Sequence, residues 1–113
     1  MRLNEAQEKK VLGLLGLGVR GRLALVGVDR VREAVKKGQV HVAVVAADAS
    51  PNSRQKVDGL LAGRQVPTLE VASAAELGRV AGKESTAIIG VVDDKLAAGV
   101  LAAAKPADAG REA

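Results

Sequence analysis

The sequence predicts an α/β protein, a three-layer α/β/α sandwich with a central four-stranded mixed sheet. Two observations lead to this fold class. Four short runs rich in Val, Ile and Leu have the composition of strands, and five other segments carry helical periodicity or capping residues at their starts. Because strands and helices alternate along the chain, we expect helices to cover the sheet on both faces.

The first helix is predicted to begin after Asn4, whose side chain can form a capping box with Gln7, and to end near Gly18. A basic turn follows at residues 20–22, and a short strand is predicted at residues 23–26. This part of the chain therefore leads from a capped helix through a cationic turn into the sheet.

The next unit is a glycine-opened helix followed by an apolar strand. Gly27 opens a helix of about nine residues, and Gly38 is suited to end it. Residues 40–46 predict a strand that is buried on both faces and so serves as scaffold. We expect the chemistry of this unit at its polar ends, residues 27–30 and 47–51.

The remaining elements continue the alternation. Ser50 is predicted to cap a third helix that begins with Pro51 and ends at Gly63. After it we expect, in order, a strand at 68–71, a helix with a capping box formed by Ser73 and Glu76, a loop at 82–85, a strand at 86–92, and a last helix capped by Asp93 that runs from Lys95 to about Ala104.

The composition indicates one folded domain with an aliphatic core. Of the 113 residues, 48% are hydrophobic, and a chain of this length can bury about 65% of its unfolded surface. We expect a single domain over residues 1–104 and a flexible tail over residues 105–113. Because Phe, Tyr and Trp are absent, no side chain offers an aromatic surface on which a single-stranded base could stack.

Other classes of protein are disfavoured by what the sequence lacks. Cysteine is absent, which excludes disulfides, thiolate metal sites and a cysteine nucleophile. No apolar run reaches the roughly 18 residues that a membrane span needs. We therefore expect a soluble cytoplasmic protein that does not associate with a membrane.

The basic residues are concentrated in the first third of the chain. Residues 1–40 carry nine Lys and Arg against four Asp and Glu, whereas the rest of the chain carries eight against nine. Six of those nine cations lie between Arg20 and Lys37, a distribution expected where phosphates are bound. The alternative is an ordinary solvated helix face, because Lys36 and Lys37 also suit a helix C-terminus.

Two glycine motifs resemble nucleotide-binding sequences and fail on context. Gly16, Gly18 and Gly21 spell G-x-G-x-x-G, but they follow a capped helix and lead into a strand, which is the reverse of the dinucleotide fingerprint. Residues 78–85 resemble a phosphate loop with one residue too few and with Glu84 in place of the magnesium-binding hydroxyl. Nucleotide binding is therefore not predicted.

The sequence also lacks a catalytic or metal-binding arrangement. Asp93 and Asp94 are explained by capping and by the helix dipole, and the single histidine, His41, has no second histidine or cysteine to share a metal. The serines have no histidine near them in sequence. We predict that the protein is not an enzyme and uses no cofactor.

Several blocks in order resemble a known family. LLGLGVRGRLALVGVDRVREAVKKGQVHVAVVAADASPNS, followed by QVPTLEVASAAELGRVAGKESTAIIGVVD, closely resembles the archaeal kink-turn-binding ribosomal protein family (the "L-seven-Ae" family), and is most similar to its bacterial YlxQ-like branch. The resemblance covers about residues 10–100. It implies the same sandwich fold, and RNA binding by the start of the second helix together with the loop after the fourth.

The resemblance also implies which residues would meet RNA. Gly27 would let the backbone approach RNA, Asp29 and Arg30 would read sheared G·A pairs, and Glu33 stands where the family has a phosphate-contacting lysine. Ser50 would lie near a flipped-out nucleotide. The covering loop would be residues 82–86, comprising Gly82, Lys83, Glu84, Ser85 and Thr86.

This chain departs from the family at three positions, since the family pattern Asn, Glu and Lys is here Asp29, Arg30 and Glu33. Asp29 can still accept hydrogen bonds from guanine N1–H and N2–H₂, whereas Arg30 suits phosphate or guanine O6 and N7. Glu33 repels phosphate. Further cations are available for affinity, namely Arg20, Arg22, Arg32, Lys36 and Lys37.

We therefore predict a non-catalytic, ribosomal-protein-like RNA-binding protein that recognises a kink-turn or a similarly bent RNA, such as ribosomal RNA or an mRNA leader. The alternative is a ribosome-associated adaptor that has lost kink-turn specificity and docks a ribosomal or RNA-processing protein through residues 82–88.

Overall fold

The computed structural model describes residues 1–105, and these form five helices and four strands that confirm the predicted α/β/α sandwich. Of the predicted tail, only Lys105 falls within the described residues. In chain order the elements are α1 Glu5–Arg20, β1 Ala24–Val26, α2 Val28–Lys36, β2 Val42–Ala46, α3 Pro51–Gly63, β3 Thr68–Val71, α4 Ala74–Val80, β4 Ile88–Val91 and α5 Asp94–Ala103.

The four strands form one mixed sheet in the order β1-β4-β2-β3. β2 and β3 are parallel, and β4 runs antiparallel to both β1 and β2. β1, β2 and β3 therefore all end at the same end of the sheet, where β4 begins. The segments after β1, β2 and β3 and the segment before β4 meet at this end.

Two aliphatic clusters lie on the two faces of the sheet and make the three layers. One cluster packs α2 and α3 against the sheet through Val31, Val35, Val57 and Leu61. The other packs α1, α4 and α5 against the opposite face. All five residues of β2 are buried, as predicted for a central scaffold strand.

Local signals predicted the starts of the helices more accurately than the ends of the elements. The capping box at Asn4 is present, with Asn4 Oδ1 accepting from Gln7 N–H at 2.8 Å and Gln7 Oε1 accepting from Asn4 N–H at 2.8 Å. α1 continues to Arg20 rather than ending near Gly18, and Gly18 lies buried within the helix, where a Cβ would overlap the side chain of Leu96. The last strand is shorter than predicted and covers Ile88–Val91.

The predicted capping box of α4 is only half formed. Ser73 Oγ accepts from the Glu76 N–H at 3.1 Å, as expected for an N-cap. The Glu76 carboxylate, however, accepts from Arg79 at 2.6 Å instead of returning to the backbone of Ser73. The expectation of a reciprocal box was therefore wrong, since an ion pair three residues along the helix takes the carboxylate.

Candidate functional site

The start of α2 and the loop after α4 are joined directly by the sheet. The Gly27 N–H donates to the Ile88 carbonyl at 3.1 Å, and the Ala46 N–H donates to the Ala87 carbonyl at 2.9 Å. The polar segments that follow β1 and β2 therefore flank the segment that leads into β4. The two regions implied by the family resemblance lie together at one end of the molecule.

Gly27 has a backbone conformation that explains why a glycine opens α2. Its φ is 102° and its ψ is 153°, a region that is essentially restricted to glycine. No heavy atom lies within 4 Å of the position that a Cβ would take, so the backbone here faces open space. A ligand could thus approach the main chain at Gly27 closely.

The first turn of α2 carries backbone donors that no side chain caps. Gly27 supplies no side-chain hydrogen bond to this turn. Among the helices formed by residues 1–105, the other four are each capped by a side chain, namely Asn4, Ser50, Ser73 and Asp93. Free N–H groups and the positive end of the helix dipole together favour an anion at the start of α2.

Three cations from three different segments line a cleft beside β1, which we call the basic cleft. Its cationic residues are Arg22 from the α1–β1 turn, Arg30 from α2 and Lys83 from the loop after α4, and its volume is about 480 Å³. Within residues 1–105, the ion pairs that form involve other residues and leave these three cations unpaired. The cleft therefore concentrates positive charge that is available to a ligand.

A second, more open groove lies along the neighbouring side of α2 and carries charges of both signs. It is lined by Leu25, Asp29, Arg30, Glu33, Ala34, Lys37 and Gln39. Asp29, Glu33 and Lys37 follow one another at intervals of four residues and so share one face of the helix. Arg30 lines both depressions, whereas Glu33 lines only this mixed groove and is absent from the lining of the basic cleft.

Tight packing against α4 holds the loop that carries Lys83. The Lys83 N–H donates to the Gly78 carbonyl at 2.8 Å, and the Thr86 N–H donates to the Ala74 carbonyl at 3.0 Å. A Cβ at Gly78 would overlap the backbone of Ser85, so only glycine allows the loop to return this closely. Gly82, Glu84 and Ser85 are exposed on the same loop.

Ser50 lies at the same end of the sheet, after β2, and is exposed. Its hydroxyl accepts from the Ser53 N–H at 3.1 Å and so caps α3 as predicted. The neighbouring Asp48 accepts from the Ala74 N–H at 2.7 Å, which ties the segment after β2 to the start of α4. Ser50 is thereby fixed relative to the loop at residues 82–86.

The other predicted cations lie farther from this end or are less exposed. Lys36 and Lys37 are at the far end of α2, about 12 Å along the helix axis from its start. Arg20 is exposed at the end of α1. Arg32 is half-buried, and among the described residues its Nε is enclosed without a hydrogen-bond partner.

An ion-pair network that the sequence analysis did not anticipate braces the segment after β2. Arg54 donates to Asp58 at 3.1 Å, to Glu70 at 3.0 Å and to the Ala46 carbonyl at 3.4 Å. Arg2 adds a second contact to Glu70 at 3.4 Å. The four-residue spacing of Arg54 and Asp58 was a local signal for one of these pairs, whereas the pairing with Glu70 depends on the folded chain.

The network changes the ionisation of its members. Burial acts to raise the pKa of Glu70, but the hydrogen bonds and charges of Arg54 and Arg2 outweigh it and lower that pKa below the usual value. Burial likewise acts to lower the pKa of Arg54, and its hydrogen bonds to Asp58 and Glu70 raise it overall. Arg54 is therefore a cation whose charge is already balanced within the protein.

Within the part of the chain that the structure describes, no group of three or more His, Cys, Asp and Glu side chains is arranged to hold a metal ion. His41 is exposed at the start of β2, and Ser50 follows the end of that strand, so these two side chains stay apart. None of the helices in residues 1–105 has the length and hydropathy to cross a membrane.

Comparison with known sequences identifies relatives of this chain. The model of a family described as ribosomal protein L7Ae/L30e/S12e/Gadd45 matches residues 9–102. A protein of Enterococcus faecium named RNA-binding protein YlxQ is 30% identical over 95 residues, which cover 84% of this chain and 91% of that protein. The protein of the same name from Bacillus subtilis is 34% identical over 84 residues, covering 74% and 84%.

Solved structures share the fold. A Bacillus halodurans protein of unknown function has a TM-score of 0.76 and 34% identity, covering 83% of this chain and 95% of that one. The 15.5kD RNA binding protein of Giardia lamblia has a TM-score of 0.79, covering 89% and 87%, and its 22% identity makes it evidence for the fold alone.

Proposed function

Because the chain belongs to the ribosomal protein L7Ae/L30e/S12e/Gadd45 family, we propose that it is a non-catalytic RNA-binding protein that recognises a kink-turn or a similarly bent RNA. The binding surface consists of the start of α2 and the loop at residues 82–86. One observation carries the proposal most directly: Gly27 opens α2 without a side-chain cap and faces open space, beside the segment that leads from residues 82–86 into β4. The relatives named RNA-binding protein YlxQ support RNA binding.

The surface suits recognition of a folded backbone more than of single-stranded bases. Free N–H groups at the start of α2, Arg30 in its first turn and Lys83 on the loop provide donors for phosphate oxygens. The chain has no aromatic residue on which an unpaired base could stack. The partner is therefore a structured RNA, with ribosomal RNA or an mRNA leader as the candidates.

Base-edge contacts are assigned to Asp29 and Arg30. Both side chains are exposed in the first turn of α2. The Asp29 carboxylate can accept from guanine N1–H and N2–H₂ in a sheared G·A pair, and Arg30 can donate to guanine O6 and N7 or to phosphate. Glu33 lines the mixed groove with Asp29 and Lys37, so its charge is directed away from the basic cleft.

The test is a binding titration with a kink-turn RNA and with the same RNA after its G·A pairs are replaced by Watson–Crick pairs, each at two salt concentrations. We expect a preference of about a hundredfold for the kink-turn, which corresponds to about 2.7 kcal/mol. The Asp29→Ala variant, which removes the acceptor oxygens, should lose most of that preference while its salt dependence stays the same.

Two results would contradict the proposal. Equal, salt-sensitive binding of both RNAs would show that the protein binds RNA phosphates and does not recognise the kink-turn. If neither RNA binds at low salt, the proposed RNA-binding function is contradicted. The surface would then be assigned to a protein partner.

A further inference from the structure

The basic cleft reaches beyond the surface assigned to RNA above. Arg22 lies in the turn between α1 and β1, outside both the start of α2 and the loop after α4, yet its side chain lines the same cleft as Arg30 and Lys83. The remaining lining consists of small or aliphatic residues, Val19, Ala24, Leu25, Val26 and Ala81. The cleft therefore combines three point charges with apolar walls and contains no acid.

The open edge of the sheet adds backbone polar groups to this cleft. β1 is an edge strand that pairs only with β4 among the described strands. The Gly27 N–H and the Leu23 carbonyl both bond to the β4 side, which sets the alternation along β1. By that alternation, both the N–H and the C=O groups of Ala24 and Val26 face the open edge. Both residues line the cleft.

Resting on the proposed function, we propose that the basic cleft is a phosphate-binding subsite for an RNA strand that continues past the start of α2 toward the α1–β1 turn. Three cations from separate segments attract one or two phosphodiester oxygens, and apolar walls weaken competition from water. Within residues 1–105, the only polar side chains that line the cleft are three cations, with no acid and no aromatic ring, so we assign its ligand as a phosphate and not a base.

A subsite that binds phosphate does not distinguish one RNA sequence from another. A phosphate contact strengthens binding to every RNA that presents a strand there, whereas Asp29 discriminates between base pairs. The two contributions are therefore separable. Removal of Arg22 or Lys83 should weaken binding of the kink-turn RNA and of its Watson–Crick counterpart by the same factor, leaving the ratio of the two affinities unchanged.

The variants are Arg22→Gly, Lys83→Ala and the double variant, with Arg64→Ala as control. Arg22 has a φ of 61°, a conformation that glycine adopts without strain, so Arg22→Gly removes the cation without lowering the melting temperature. Arg64 is exposed after α3, at the opposite end of the sheet, and forms no ion pair among the described residues.

We expect each single variant to bind both RNAs about three- to tenfold more weakly at low salt. The slope of log affinity against log salt concentration should fall by about one. The double variant should lose less than the product of the two single effects, because both side chains serve the same phosphate. The Arg64→Ala variant should bind like the parent protein.

A scan with RNAs that carry a single neutral methylphosphonate locates the phosphate. At one linkage, the methylphosphonate should weaken RNA binding by the parent protein about tenfold and leave RNA binding by the double variant unaffected. If the variants match Arg64→Ala, or if every linkage affects parent and double variant alike, the subsite is refuted while the proposed function stands. Absence of RNA binding by the parent protein would instead refute the proposed function.

Discussion

Gly27 connects backbone conformation to the proposed function at the scale of one residue. Its positive φ turns the chain from β1 directly into α2, and no side chain occupies the space in front of it. The same residue therefore begins the helix, leaves the amides of the first turn uncapped and keeps the main chain accessible. A non-glycine residue would have to adopt a conformation that L side chains rarely take.

The Gly27→Ala variant should destabilise the protein by about 1–3 kcal/mol, because the cost lies in backbone strain and not in a clash. The Gly59→Ala variant is a matched control, since Gly59 is exposed inside α3 and its Cβ would also meet open space. That change should stabilise the protein by about 1 kcal/mol, the usual helical advantage of alanine. Urea denaturation of both variants measures their free energies of unfolding. Equal changes in the two variants would contradict backbone strain at position 27.

Glu70 makes the stability of the folded protein depend on pH in the acid range. Its pKa is lowered in the folded protein, because the contacts of Arg54 and Arg2 outweigh the effect of burial, so the ion pairs contribute stability that is fully present above the unfolded pKa of about 4.3. That contribution is lost as the pH falls through the folded pKa.

The Glu70→Gln variant should accordingly be less stable than the parent by about 1 kcal/mol at pH 7, and the gap should close below pH about 4. Denaturation at a series of pH values measures this gap. Glu84→Gln serves as control, because Glu84 is exposed and forms no ion pair within residues 1–105. If the difference in the free energy of unfolding between the parent and Glu70→Gln stays constant with pH, the network stabilises the protein through packing and not through the charge of Glu70.

At the scale of an element, the loop after α4 is held by the helix that precedes it. Gly78 accepts a hydrogen bond from the Lys83 N–H and makes room for the Ser85 backbone. The position of Lys83 in the basic cleft therefore depends on the absence of a side chain at Gly78. Thr86, which is buried and bonded to Ala74, fixes the end of the loop.

The Gly78→Ala variant should move this loop, with a loss of about 1–3 kcal/mol in the free energy of unfolding. It should also weaken RNA binding and reduce the salt slope, since Lys83 leaves the cleft. Val100→Ala, a buried change in α5, provides a destabilised control that keeps the loop intact. If both variants bind RNA like the parent protein at a temperature where each is folded, the loop does not contribute.

The elements themselves were predictable wherever the signal was local. Capping residues such as Asn4 and Ser50 act within three residues, so they marked helix starts correctly. The failure at Glu76 is also local: Arg79 competes for the same carboxylate, and sequence offers no reason to prefer the backbone. Pairing of residues 1–3 with β3 was missed because Leu3 bonds to the distant Glu70.

At the scale of the molecule, topology converts a scattered set of residues into one surface. Arg30 and Lys83 come to the same end of the sheet because β4 begins where β1 ends, and Arg22, which precedes β1, lines the same cleft along that edge strand. Residue types and motif spacing predicted which cations to consider. They also predicted that Lys36 and Lys37 lie at the C-terminal end of α2, but they could not predict that Glu33 lines a groove separate from the basic cleft.

Binding of RNA at the start of α2 and the loop at residues 82–86 is tested most directly by amide hydrogen exchange with and without a kink-turn RNA. We expect bound RNA to slow exchange in segments 22–33 and 82–87 and to leave residues 59–66, at the opposite end of the sheet, unchanged. Protection confined to residues 59–66, or to the start of β2, would contradict the account.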